Sequence, residues 1–123
     1  MASGIYNRFK ANLMNKEVDL ELDTIKVALY NSSHAFTATN TDYTTTNEIT
    51  GTGYTAGGAT LAGKAVTEAA TTKWDANDAS WTTATFTAAH AVIYDSTVTN
   101  DLICSIDFGG NQTVSSGTFT IQW

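Results

Sequence analysis

The chain of 123 residues contains no proline and a single cysteine. Without proline, tight reversals fall to its nine glycines and to Asn, Asp, Ser and Thr, which turn the backbone through φ > 0 or through side-chain hydrogen bonds. One thiol, Cys104, excludes an internal disulfide, and its place in the apolar run Leu102-Ile103-Cys104-Ser105-Ile106 reads as a packed free thiol. Basic residues are also scarce: six Lys+Arg stand against twelve Asp+Glu, for a formal charge of −6. A protein that holds DNA or RNA needs a basic patch to neutralise phosphates, so the expectation is no nucleic-acid partner. No apolar run approaches the roughly twenty residues that span a bilayer, and the first residues lack the apolar centre of a secretory signal. Synthesis in a cytoplasm, with no membrane partner, is the expectation.

What the chain has in abundance is hydroxyl: threonine occurs 23 times and serine 8 times. Threonine is β-branched and suits a pleated surface, so this composition favours strands and polar turns. The length fits one domain. Ser3 stands where it could cap a helix over 4–15, in which Ile5, Phe9 and Leu13 recur every fourth residue with Tyr6 and Met14 beside them. That helix either packs on its own domain or forms an arm docked on a partner. The expected organisation is a helical arm over 1–16 and a β domain over 17–123.

From residue 18 the apolar period drops from nearly four to two. Ile25, Val27 and Leu29 alternate with Thr24, Lys26 and Ala28, which predicts a strand ending at Tyr30. Residues 31–60 are polar and poor in large apolar groups, a long loop of the kind that usually carries function. Further strands are expected over 61–67, 81–87, 89–94, 102–108 and 113–123. In the second of these, Thr82, Ala84, Phe86 and Ala88 share one face; in the third, Val92 and Tyr94 share a face and Ile93 takes the other. Trp74 to Ser80 and Asp95 to Asp101 read as turns. About seven strands with regular turn signals predict a mainly β fold, a β-sandwich or jelly-roll-like single domain with a short N-terminal α-helix.

Chemical signatures are sparse. His34, His90 and Cys104 fall at no metal-ligand spacing. Asp75, Asn77 and Asp78 crowd one turn, but without the glycine and distal glutamate of a calcium loop they read as side chains bonded to their own backbone. The Gly51–Gly58 stretch has no Lys-Ser/Thr pair behind it, so its glycines read as backbone devices and not as a phosphate cradle. No nucleophile elbow surrounds a serine. The expectation is a protein that is not an enzyme and that uses no metal or other cofactor. Of the tryptophans, Trp81 suits core packing, Trp74 suits either packing or a stacking platform, and Trp123 ends the chain.

Several segments, taken in order, carry a resemblance. They are Gly4-Ile5-Tyr6-Asn7-Arg8-Phe9-Lys10-Ala11-Asn12-Leu13, Val18-Asp19-Leu20, Asp23-Thr24-Ile25-Lys26-Val27-Ala28-Leu29 and Ala91-Val92-Ile93-Tyr94-Asp95. Leu102-Ile103, Ile106-Asp107-Phe108-Gly109 and the ending Gly117-Thr118-Phe119-Thr120-Ile121-Gln122-Trp123 complete the set. Together they resemble the small structural proteins of tailed bacteriophages, of the capsid decoration or cement type. The resemblance implies a virion component on the outer capsid surface, made in the host bacterial cytoplasm, that binds the major capsid protein as a homo-oligomer. Basic and aromatic side chains favour interfaces, so the contact residues expected on this reading are Tyr6, Arg8, Phe9 and Lys10, with Tyr43, Tyr54 and Trp74. The alternatives are a tail, head-fibre or connector component, with Trp74, Tyr54 and Tyr43 stacking on a host glycan.

Overall fold

The alternating run at Ile25–Tyr30 forms β2, whose residues are buried except for a half-buried Lys26. Two buried faces require cover on both sides, and the rest of the chain supplies it. In the computed structural model, which describes residues 3–123, β2 pairs antiparallel with the upper part of a very long hairpin. Numbered along the chain, the elements are β1 (Gly4–Ile5), α1 (Asn7–Met14), β2, β3 (Ala59–Thr60), β4 (Ala65–Thr67), β5 (Lys73–Asp75), β6 (Ala79–Asp95) and β7 (Asp101–Ile121). Five strands form an antiparallel sheet in the order β1-β7-β6-β2-β3, and β4 and β5 form a separate ribbon. The chain is thus mainly β and β-sandwich-like, with one short N-terminal helix.

Four strands expected separately are in fact two. The segments 81–87 and 89–94 run together as β6, and 102–108 and 113–123 run together as β7 as far as Ile121. The backbone bends through bulges instead of turning: the β6–β7 register slips between Trp81 and Ala84, Ala84 and Phe86, Ala88 and His90, and Ile93 and Tyr94. The first slip, with Thr83 at φ 49°, moves Trp81 onto the core side with Ala84, Phe86 and Ala88 and turns Thr82 out to solvent. That corrects the expected grouping of Thr82 with Ala84. Downstream, Ile93 and Ala91 join the first core cluster while Val92 and Tyr94 join the second, as the alternation predicted. The strand expected over 61–67 is also divided, because Gly63 at φ 63° interrupts it; Leu61 is buried and donates its N–H to Ile25 O at 2.8 Å. Part of the turn expected from Trp74 is strand β5.

The N-terminal segment differs from the expected helix over 4–15. Gly4 and Ile5 pair with Ser105 and Cys104, and the helix starts only at Asn7. Ser3 does not cap it, since its hydroxyl accepts the Asp107 N–H at 2.8 Å. Tyr6, between strand and helix, is 1% exposed, and its N–H donates to Ile103 O at 3.0 Å. The helix buries Asn12, which donates to Asp101 Oδ2 at 2.8 Å across 89 positions of sequence. Phe9 packs on the core, whereas Ile5, Leu13 and Met14 are 52%, 51% and 82% exposed. The segment read as an arm therefore gives the sheet a strand and the core a tyrosine.

Candidate functional site

Residues 31–58 leave β2 and return at β3 after crossing one face of the sheet. That face carries Ala28, Tyr30, Val92, Tyr94 and Leu102, and the loop covers it with Phe36 and Tyr43. A polar loop over an apolar face needs its own anchor, because its backbone groups lose water on docking. Glu48 is that anchor. Its carboxylate accepts the hydroxyls of Tyr43 and Tyr54, each at 2.5 Å, and the Gly57 N–H at 2.8 Å. Tyr54 in turn accepts the Leu29 N–H, and Tyr94 donates to Gly57 O at 2.7 Å while stacking on Tyr43 with ring centroids 4.6 Å apart. Tyr30 donates to Thr44 O at 2.6 Å. Burial, followed by Glu48 (through its hydrogen bonds to Tyr43 and Tyr54 and its charge near Tyr30 and Tyr94), pushes the phenols of Tyr30, Tyr43 and Tyr54 well above their ordinary range and that of Tyr94 up to about 12. All four are neutral donors and none is a phenolate nucleophile.

Under the arch of the loop lies a cavity of about 490 Å³, bordered by Tyr6, Tyr30, His34, Asn40 and Asn47 among others. Behind it the two histidines meet edge to face, 5.1 Å between centroids. His34 Nε2 lies 3.1 Å from Ser105 Oγ, and His90 Nδ1 lies 3.1 Å from Asn31 O. Burial, with His90 adjacent, lowers the His34 pKa. Asp107 sits on the other imidazole, 3.6 Å from His90 Nε2, and the Gly109 N–H holds its carboxyl below the usual range. Serine, imidazole and carboxylate are thus divided between two rings, and Ser105 is 1% exposed. This arrangement ties the start of the loop to β6 and β7; it presents no accessible nucleophile beside a base that a carboxylate orients. The Cys104 thiol, which burial pushes up to about 11, offers no thiolate at neutral pH.

Two buried aspartates close the other end of the hairpin. Asp101 accepts Asn12 and Thr99, with Arg8 Nη1 at 3.6 Å; burial works against its charge, but these partners outweigh it and hold the carboxyl below its usual range. Asp95 is 1% exposed. Its Oδ1 accepts the N–H groups of Thr97 and Val98, and its carboxyl faces that of Asp23. Burial, followed by Asp23, pushes Asp95 up to about 7. The folded state therefore binds a proton that the unfolded chain has released above about pH 4, so this contribution to stability is complete below pH 4 and is lost as pH rises through 7. Asp95→Asn supplies a permanent donor toward Asp23 and removes this titration. Thermal melts across pH 4 to 8 should show the variant gaining on the wild type as pH rises; parallel curves would refute a proton held on Asp95.

Of the residues expected to make contacts, most are engaged internally. Tyr6 is in the core, Phe9 packs against it, Tyr43 and Tyr54 hold Glu48, and Trp74 donates Nε1 to Leu20 O at 3.0 Å. Arg8 is partly exposed beside Asp101, and Lys10 is exposed. The structure brings Arg8 and Lys10 to the N-terminal face, Tyr43 and Tyr54 to the Glu48 anchor, and Trp74 to the β4–β5 ribbon. Glu48, His34, His90 and Ser105 form the polar framework that sequence reasoning did not assemble. The available signal was Glu48 itself, the single acid between Asp42 and Glu68, with tyrosines on either side. Among the described residues no group of three or more His, Cys, Asp or Glu side chains gathers at metal-binding geometry, and no described helix is long and apolar enough to cross a membrane. Comparison with protein families, curated proteins and solved structures finds no match to this chain.

Proposed function

We propose that this chain is a non-enzymatic structural protein of a tailed-bacteriophage virion, a capsid decoration or cement protein that binds the outer lattice of the shell. The observation that carries the reading is the N-terminal face. Ile5, Leu13 and Met14 point outward from a segment that Tyr6, Asn12 and the β1–β7 pairing fix rigidly to the sheet. Lys10 is exposed on the same helix. Exposed Leu13 and Met14, with exposed Lys10 three and four positions back on the same helix, suit a protein-binding surface, and rigid anchoring lowers the entropy lost on docking. The sequence resemblance supplies the partner class, the major capsid protein. A protein that binds the assembled lattice and not the loose subunit stabilises the shell by mass action, in proportion to occupancy.

Removing residues 1–16 would take Tyr6 out of the core, so point changes on the exposed side are the cleaner test. Leu13→Gln with Met14→Gln, which keeps helix propensity and adds no charge to the C-terminal turn of α1, should leave the melt nearly unchanged. It should lower affinity for purified shells roughly 100-fold, as expected if two apolar side chains contribute about 3 kcal/mol on burial. Occupancy equal to wild type would sink the reading. Stoichiometry in purified particles separates the location: a simple ratio to the major capsid protein supports the lattice, and a few copies per particle would favour a connector or tail position.

A further inference from the structure

The outer edge of β7 has a partner strand only at its beginning. β1 covers Cys104 and Ser105, and Ser3 Oγ takes the Asp107 N–H. From Phe108 to Ile121 no strand lies on that side among the described residues, while the inner side is paired with β6 through Gln112–Val114, Gly117 and Phe119–Ile121. Edge strands are normally blunted by charges or proline, because their unpaired N–H and C=O groups recruit any extended chain. Phe108 to Trp123 contains no Asp, Glu, Lys, Arg, His or Pro. Against this edge lies an apolar groove of about 420 Å³ walled by Phe108, Phe119, Ile121 and Trp123, all half-buried.

We infer that this edge pairs with the same edge of a second copy, antiparallel about a two-fold axis through Thr120. Charge selects the occupant. Each copy carries −6, and the segment free of ionisable groups is where two such chains can approach without like charges meeting. An antiparallel edge is also its own complement: the axis sets Phe119 against the partner's Ile121 and Thr118 against the partner's Gln122. Phe119, Ile121 and Trp123 all pack on the core side, so the two copies place these side chains on one face and close the groove from both sides. Gly117 falls opposite the partner's Trp123. Gly117 lies outside the positive-φ region, and the nearest atom to an added Cβ is 3.4 Å away, so the space left by its missing side chain is not demanded by its own fold. The capsid reading also expects a homo-oligomer, but this interface rests on the free edge of β7 itself, and its test needs no capsid.

The test uses Thr118 and Gln122, which are exposed and face each other only across the seam. Sedimentation velocity over a concentration series should show a monomer–dimer equilibrium for the wild type. Thr118→Lys with Gln122→Lys sets like charges opposite one another at two symmetric positions and should weaken the dimer at least about tenfold. Thr118→Lys with Gln122→Glu sets opposite charges there and should restore or tighten it. Within one copy these positions lie about 13 Å apart along the strand, so neither pair interacts internally. Unchanged circular dichroism and melting temperature in both variants verify the fold. A wild type that stays monomeric up to its solubility limit would overturn the inference, as would two double variants that associate equally.

Discussion

Replacing Glu48 by alanine is expected to cost about 3 kcal/mol of stability and to free the 31–58 loop from its sheet. Hydrogen bonds to a charged acceptor contribute about 1.5–3 kcal/mol each, and three donors converge on this carboxylate. The sum is discounted because Tyr43 and Tyr54 are only half-buried and regain water once the acid is gone. Urea denaturation gives the energy. Three further readouts locate it: faster proteolysis within residues 37–47, a smaller loss for Glu48→Gln, which keeps one acceptor, and ionisation of Tyr43 and Tyr54 at lower pH in an ultraviolet-monitored alkaline titration. A variant as stable as wild type, with an unchanged titration, would show that the loop is held by apolar packing alone.

Gly58→Ala should be at least as damaging, for a different reason. Gly58 has φ +79°, and an added Cβ would overlap the Val27 carbonyl and lie 2.7 Å from the Ala28 Cα, both on β2. Backbone atoms of a central strand cannot yield cheaply, so a loss of about 4 kcal/mol is expected, at the upper end of single substitutions. Gly109→Ala is the matched control. It has nearly the same φ, +81°, but nothing within 4 Å of the added carbon, so only the conformational cost of about 1–2 kcal/mol remains. The difference between the two melts isolates the steric part. Equal losses would mean that β2 and β3 separate easily enough to accept a methyl group.

The parts of the fold legible in sequence are those governed by neighbours. Ile25, Val27 and Leu29 announce β2 by alternation, and Val92, Ile93 and Tyr94 are assigned to the correct faces. The alternation around Trp81 fails because a bulge resets the phase, and the positive φ of Thr83 has no sequence marker of the sort that glycine would give. The helix begins late because Gly4 and Ile5 are claimed by β7, a competitor a hundred positions away that a local period does not register. The polar framework was illegible for the same reason. His34 meets Ser105 across 71 positions, and nothing local to either residue singles out the other. Tyr43 and Tyr54 stand out in the sequence, but their role turns on Glu48, which binds them inward.

The order in which this sheet can form follows from its connections. β6 and β7 close across Ser96–Asn100, so their ladder can zip from a nearby turn, on the microsecond scale typical of hairpins. β1 has no such advantage: its partners, Ser105 and Cys104, are separated from it by nearly the whole chain, and joining them means closing a loop of about a hundred residues. The N-terminal segment is therefore expected to dock after that hairpin has formed. On the proposed capsid reading, Ile5, Leu13 and Met14 are not held in place before that step, so a half-folded copy would carry no competent docking surface.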